Sequence, residues 1–163
     1  MPMIDPASAG SAIDHAAWES QLCAGAQEVF AMMVDTKLIR CPNPEPMMAA
    51  EFTAMVGMAG ALCGVFTIRC SDHAASAIAS KMLGTSIEDA SQEKWDAMGE
   101  VCNMVAGNFK SKFAGGGGNC MLSVPTVITG ADYKLRSLAD GETIEVCLQF
   151  DDERLWLSLE LHN

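Results

Sequence analysis

The sequence predicts an α+β fold: an antiparallel β-sheet with long helices packed on it. Three observations lead there. Apolar residues recur at helical spacing in two long stretches, Ala12 to about Val34 and Lys94 to Phe113. The C-terminus alternates with a period of two, Ile144, Val146, Leu148 and Phe150 on one strand and Leu155, Leu157, Leu159 and Leu161 on the next. Between the helices, EFTAMVGMAGALCGVFTIRC reads as two apolar strands. Long helix then hairpin thus occurs twice, which suggests two pseudo-repeated halves. Sliding Trp18 onto Trp95, a shift of 77 residues, places Cys23 under Glu100 and Ala26 under Asn103.

Each element has a local reason. Residues 1–11 are rich in Pro, Ser, Ala and Gly and are expected to form a disordered tail, leaving 12–163 as a single domain. The first helix is marked by Ile13, Trp18, Leu22, Ala26, Val29, Phe30 and Met33. CPNPEP, from Cys41, forces a loop because proline lacks the N–H a helix needs. The hairpin that follows is expected to turn near Ala59-Gly60 and to end at Cys70. Ser71 is a fitting N-cap for a short helix over Asp72 to Leu83, with Gly84 as its C-cap. The polar segment TSIEDASQE then leads into the second long helix, which Gly115 to Gly118 close. That glycine run is not a phosphate loop, since no Gly-Lys-Ser/Thr follows and it ends a helix instead of opening one. CMLSVPTVIT is strand-like, with Pro125 marking an edge, a bulge or a break.

Composition narrows the function classes. Half of the 163 residues are hydrophobic and 19% are charged, which fits a folded domain and not a disordered chain. A formal charge of -11 with no basic run argues against nucleic-acid binding. It favours a partner with a basic surface. The cysteines, at 23, 41, 63, 70, 102, 120 and 147, are odd in number, lack Cys-x-x-Cys spacing and sit mostly in apolar runs. Buried free thiols are therefore expected, without a disulfide framework or zinc site. His15, His73 and His162 form no ligand pair. The N-terminus has neither the basic start nor the apolar core of a signal peptide, and no apolar run is long enough for a membrane span. A cytoplasmic protein is expected.

The second long helix, KWDAMGEVCNMVAGNFKSKF, is the informative one. Asp96, Glu100, Asn103, Gly107 and Lys110 step by 4, 3, 4 and 3 and share one face. Trp95, Met98, Val101, Cys102, Val105, Phe109 and Phe113 fall roughly opposite and are expected to seat the helix on the core. A carboxamide has no useful pKa, but it can hold a water by donating and accepting hydrogen bonds at once. That suits reactions in which the electrophile is already activated and the nucleophile must be oriented, as in phosphoryl transfer. A carboxylate one turn earlier suits pairing with a partner's lysine or arginine. By themselves such residues are more often solvated surface. Lys110 is compatible with a snorkelling lysine, and Asp96 with a charge that complements the helix dipole. Gly107 costs roughly 1 kcal/mol against alanine in a helix interior, so close approach is expected, by a partner or by a neighbouring element.

These residues resemble the CheC/CheX/FliY family of bacterial chemotaxis phosphatases, the CheX branch most closely. The family's signature is Asp or Ser, three residues, Glu, two residues, Asn, and a proline some 22 residues on. Asp96, Glu100 and Asn103 match it, and Pro125 follows Asn103 by 22 positions. GEVCNMVAGNFKSKF with LSVPTVITG, and VGMAGALCGVFTIRC with KMLG, extend the likeness from about Trp18 to the C-terminus. The resemblance implies a CheC-like fold and a phosphatase acting on the phospho-aspartate of a CheY-type response regulator. Asn103 would orient the attacking water, and Glu100 would pair with a lysine of the regulator. The chain would need no cofactor of its own, magnesium being held by the regulator. A single motif, absent from the first helix, points to CheX and so to a homodimer. Asp96, Gly107 and Lys110 would rim the contact surface. The alternative is a non-catalytic receiver-binding adaptor or flagellar-switch-type module using the same helix.

Overall fold

The structure, a computed structural model, describes residues 14–42, 45, 50–112, 119–131, 133–136 and 141–162. The element order is helix α1 (His15–Val29), a π-helical turn (Phe30–Val34), strands β1 (Ile39–Arg40), β2 (Phe52–Gly60) and β3 (Gly64–Cys70), helices α2 (Asp72–Leu83), α3 (Ile87–Ala90) and α4 (Lys94–Lys110), then strands β4 (Cys120–Leu122), β5 (Thr126–Thr129), β6 (Thr143–Phe150) and β7 (Glu153–Leu161). The strands form one antiparallel sheet in the order β1-β6-β7-β3-β2-β4, with β5 also paired to β2. The α+β reading and its antiparallel sheet therefore hold.

The core lies between this sheet and the helices. Ile144, Val146, Leu148 and Phe150 of β6 and the four alternating leucines of β7 are all buried, as their period requires. They meet Leu22, Ala26, Val29 and Phe30 from α1 and the π turn, Ile78 from α2, and Met98, Val101, Cys102, Val105 and Phe109 from α4. Phe30, Phe52, Phe66 and Phe109 are the largest fully buried side chains. Truncating any one to alanine costs about 3–5 kcal/mol. Among the described residues, no helix is long and apolar enough to cross a membrane.

α1 lies across α4. Trp18, near the start of α1, packs against Phe109 with the rings tilted at 54° and their centroids 5.7 Å apart. Glu28, near its end, accepts from Asn108 Nδ2 at 2.8 Å and pairs with Lys112 at 3.7 Å. Both ends of α1 thus meet the last turns of α4.

Several boundaries differ from the sequence expectation. The first helix stays α-helical only to Val29 and ends in a π turn, closed by Asp35 in the left-handed conformation. The β2–β3 turn falls at residues 61–63, beyond Ala59-Gly60. Gly60 (φ +130°) instead makes room for a neighbouring strand. A β-carbon there would lie 1.8 Å from the Asn119 carbonyl oxygen, so only glycine admits the chain entering β4. Strand β1 and helix α3 were not expected. The α2 bounds agree, with Ser71 Oγ accepting from the Ala74 N–H and Gly84 left-handed at φ 67°. The expected tail, Ile13, the Gly115–Gly118 run, Phe113 and half of the proline-rich CPNPEP loop lie outside the described residues.

Candidate functional site

The polar stripe of α4 is assembled as its spacing requires. Ala97, Met98, Gly99, Val101, Cys102, Val105, Ala106 and Phe109 are buried, which turns the opposite face outward. Asp96 and Glu100 are exposed, and Asn103, Gly107 and Lys110 are half-buried. Trp95 departs from the expected core face. It is 41% exposed, with its ring 5.9 Å from Phe52 and the Lys94 ammonium 4.8 Å above it. Lys94 also reaches Asp72 of α2 at 2.8 Å, which ties the start of α4 to the start of α2.

The segment 120–129 lines one side of the stripe and runs against the direction of α4. Lys110 Nζ donates to the Cys120 carbonyl at 2.9 Å. A β-carbon on Gly107 would meet Leu122 Cδ1 at 3.9 Å, and one on Gly99 would meet Pro125 Cβ at 3.5 Å. Phe52, against which Trp95 packs, pairs with Thr129. Gly99, Asn103 and Gly107 succeed one another at four-residue steps along one helical ridge. Asn103 therefore stands between the Pro125 and Leu122 contacts, level with the break between β4 and β5.

That break is held from beneath. The Ser123 N–H donates to the Gly57 carbonyl at 2.8 Å, and the Gly57 N–H donates to Ser123 Oγ at 2.8 Å. The next residue, Val124, is pushed outward and is 84% exposed, and Pro125 returns the chain to β5. The site thus joins two carboxylates and a carboxamide on a helix to an apolar knob on the adjacent loop. Val124 was not singled out in the sequence, although Pro125 in an otherwise alternating segment marks its position. Gly107 and Lys110, read as contact-surface residues, also serve the interior: Gly107 faces Leu122, and Lys110 holds β4.

The arrangement offers a half-buried, hydrogen-bonding amide with the exposed carboxylates of Glu100 and Asp96 on the preceding turns of an outward helix face. It can dock a basic partner and order a water in the partner's reactive site; an open face of this kind does not enclose a small substrate. Among the described residues, no three His, Cys, Asp or Glu side chains converge as metal ligands.

The chain is similar to known proteins in family and in fold. A family model described as "Chemotaxis phosphatase CheX" matches residues 52–149, a stretch containing all of α4 and Pro125. No curated protein sequence matches the chain. The fold is shared with the chemotaxis protein CheX of Vibrio vulnificus, at a TM-score of 0.77 and 22% identity over 93% of this chain and 100% of that one. It is shared with CheX of Desulfovibrio desulfuricans, at 0.77 and 21% over 90% and 99%. A CheX–CheY–BeF3–Mg2+ complex from Borrelia burgdorferi is similar at 0.73 and 22%, over 93% and 100%. At these identities the structures speak for the fold, and the family model, matching more than half of the chain, speaks for the family. This protein belongs to the CheX family of chemotaxis phosphatases.

Proposed function

We propose that the chain removes the phosphoryl group from the phospho-aspartate of a CheY-type receiver domain. The observation that carries this reading is the position of Asn103, half-buried on an outward helix face beside the β4–β5 break, with Glu100 exposed one turn earlier. The Asn103 carboxamide accepts one hydrogen bond from a water and directs its lone pair at phosphorus. The water oxygen forms the new P–O bond while the bond to the aspartyl oxygen breaks; inorganic phosphate leaves and the receiver regains its carboxylate. Magnesium held by the receiver offsets charge on the phosphoryl oxygens, so the chain itself supplies position rather than acid–base chemistry. The Borrelia complex supports the reading, because beryllium trifluoride has the shape and charge of a phosphoryl group.

Glu100 docks the receiver by pairing with one of its lysines. Asp96 and Gly107 extend the contact, with Val124 as an apolar knob beside them, and Lys110 keeps β4 in place at the rim. The protein acts in the cytoplasm as a homodimer. The C-terminal hairpin is not itself the sheet edge, since β7 pairs on both sides, but among the described residues β1 and the adjoining Cys41 cover β6 only from Cys147 to Gln149. The rest of that β6 edge is a candidate interface.

The test is phosphate loss from a phosphorylated receiver, with wild type and Asn103→Ala. Wild type is expected to accelerate it, and Asn103→Ala to lose about a hundredfold of that rate while still binding. A wild type that binds receivers without accelerating phosphate loss would replace the enzyme with a receiver-binding adaptor.

A further inference from the structure

The thiols are not equivalent. Ile39 pairs with Gln149 and Arg40 with Leu148 across β1 and β6. The next step of that register sets Cys41 opposite Cys147, and the Cys41 N–H donates to the Cys147 carbonyl at 3.0 Å. Residues directly opposite in such a pair have α-carbons about 5.5 Å apart, inside the range a disulfide spans. The side chains converge as well: Cys147 Sγ lies 2.9 Å from Cys41 Sγ. Cys41 Sγ also lies 3.8 Å from Gln149 Oε1. Both thiols are buried as residues, yet they line a shallow surface groove with Arg40, Pro42, Glu145 and Trp156. A small oxidant can reach them there.

We propose that Cys41 and Cys147 are a redox-modification site: they form a reversible intramolecular disulfide that fastens edge strand β1 to β6. The oxidant class is a peroxide. Hydrogen peroxide transfers one oxygen to the Cys41 sulfur, giving a sulfenic acid and releasing water. The Cys147 sulfur then attacks the Cys41 sulfur; the S–O bond breaks, and the departing hydroxide takes the Cys147 proton as a second water. Two thiols lose two electrons in all, and the peroxide gains them. Burial, and after it the hydrogen bond to Cys41, push the Cys147 thiol up, which suits it to the second step. A dithiol reductant reverses the reaction by exchange.

Neither cysteine belongs to the α4 stripe, and β1–β6 is at the other end of the sheet from the strands flanking α4. Covalent closure between residues 41 and 147 restricts the unfolded chain, so the oxidised form is expected to melt at a higher temperature.

The experiment treats the reduced 163-residue chain with stoichiometric hydrogen peroxide and counts thiols after denaturation. Seven free thiols should fall to five, and a non-reducing peptide map should join the Cys41 peptide to the Cys147 peptide. Cys41→Ser should keep its six remaining thiols under the same treatment, whereas Cys147→Ser, lacking the resolving sulfur, should fall from six to five as a Cys41 sulfenic acid that dimedone captures, with no intramolecular disulfide. A map with Cys41 and Cys147 both unmodified, both overoxidised, or linked through exposed Cys63 would overturn the proposal, and this rests on wild type alone, whatever the variants' folding.

Discussion

Pro125 lies against Gly99, the residue that precedes Glu100 in α4. A β-carbon on Gly99 would come to 3.5 Å from Pro125 Cβ and 3.8 Å from Val127 Cγ2, which are ordinary van der Waals distances. The helix therefore rests on the strand break with room for one methyl group. Gly99→Ala should fill that room and remove the conformational cost of a mid-helix glycine, raising stability by up to about 1 kcal/mol with receiver turnover intact. Gly99→Leu exceeds the room and should push Pro125 and Val124 away from Asn103, costing about 1–3 kcal/mol and lowering turnover. Urea melts of both variants, run beside phosphate-release assays, check this; equal effects of Ala and Leu would refute the packing argument.

Lys94 carries a second prediction. Its ammonium pairs with Asp72 at 2.8 Å and sits 4.8 Å over Trp95 and 5.9 Å from the centre of Phe52. The side chain is only 14% exposed, whereas its partner carboxylate is half in solvent. Lys94→Ala is expected to cost about 1–2 kcal/mol, since both the ion pair and the ring contact are lost. Asp72→Asn should cost less, because the ring contact survives. Thermal melts of the two would fail the prediction if Asp72→Asn proved the more damaging.

What was legible in the sequence was what neighbouring residues decide locally. Ser71 and Gly84 marked α2 because a cap is satisfied within one turn. The β6–β7 hairpin was legible because its strands alternate over eight and nine residues and meet at Asp151 and Asp152. The spacing of Asp96, Glu100 and Asn103 placed them on one outward face. The remainder depends on distant contacts. β1 is two residues long and exists through pairing with β6, which no periodicity in Ile39-Arg40 announces. Gly60 looked like a turn residue but answers to Asn119, 59 positions away. Trp95 looked like core because it is large and apolar, yet it packs under Lys94 at the rim of the core. Gly107 had two readings, a neighbouring element or a partner, and sequence could not follow Leu122 back to it. Nor could a list of scattered cysteines reveal that Cys41 and Cys147 meet.

Glu100 and Gly107 separate docking from chemistry. Glu100 is exposed, so its pairing with a receiver lysine is screened by salt but costs little to desolvate before binding. Glu100→Ala should weaken receiver affinity by about 1–3 kcal/mol, most at low ionic strength, and Glu100→Lys should weaken it further. Gly107→Ala should be accommodated beside Leu122 and stabilise the helix by up to about 1 kcal/mol, whereas Gly107→Leu should lower receiver affinity. Titration of a phosphoryl-mimic-loaded receiver at two salt concentrations measures both effects. A salt-independent Glu100→Ala defect would argue against the ion pair.

The buried thiols make stability fall at alkaline pH. Burial pushes the Cys102 thiol from its ordinary 9.0 up to about 12, partly offset by a backbone hydrogen bond at Ile68. Cys70 is pushed up as well, by burial first and then by Glu153, Asp72 and Glu51. In the unfolded chain a thiol ionises from about pH 9, while in the folded protein Cys102 keeps its proton until about 12. Between these values the unfolded state binds fewer protons, so stability declines as pH rises, by about 1.4 kcal/mol per pH unit for each such thiol. Below about pH 8 these groups contribute no slope. Cys102→Ala should therefore lose about 1 kcal/mol at neutral pH, from the missing sulfur, yet show a shallower decline above pH 9. Urea melts of wild type and Cys102→Ala, made in reductant at several pH values from 7 to 11, should give stability curves that converge and then cross. Parallel curves would mean that Cys102 ionises in the folded protein as readily as in the unfolded chain, and that its burial does not hold the proton.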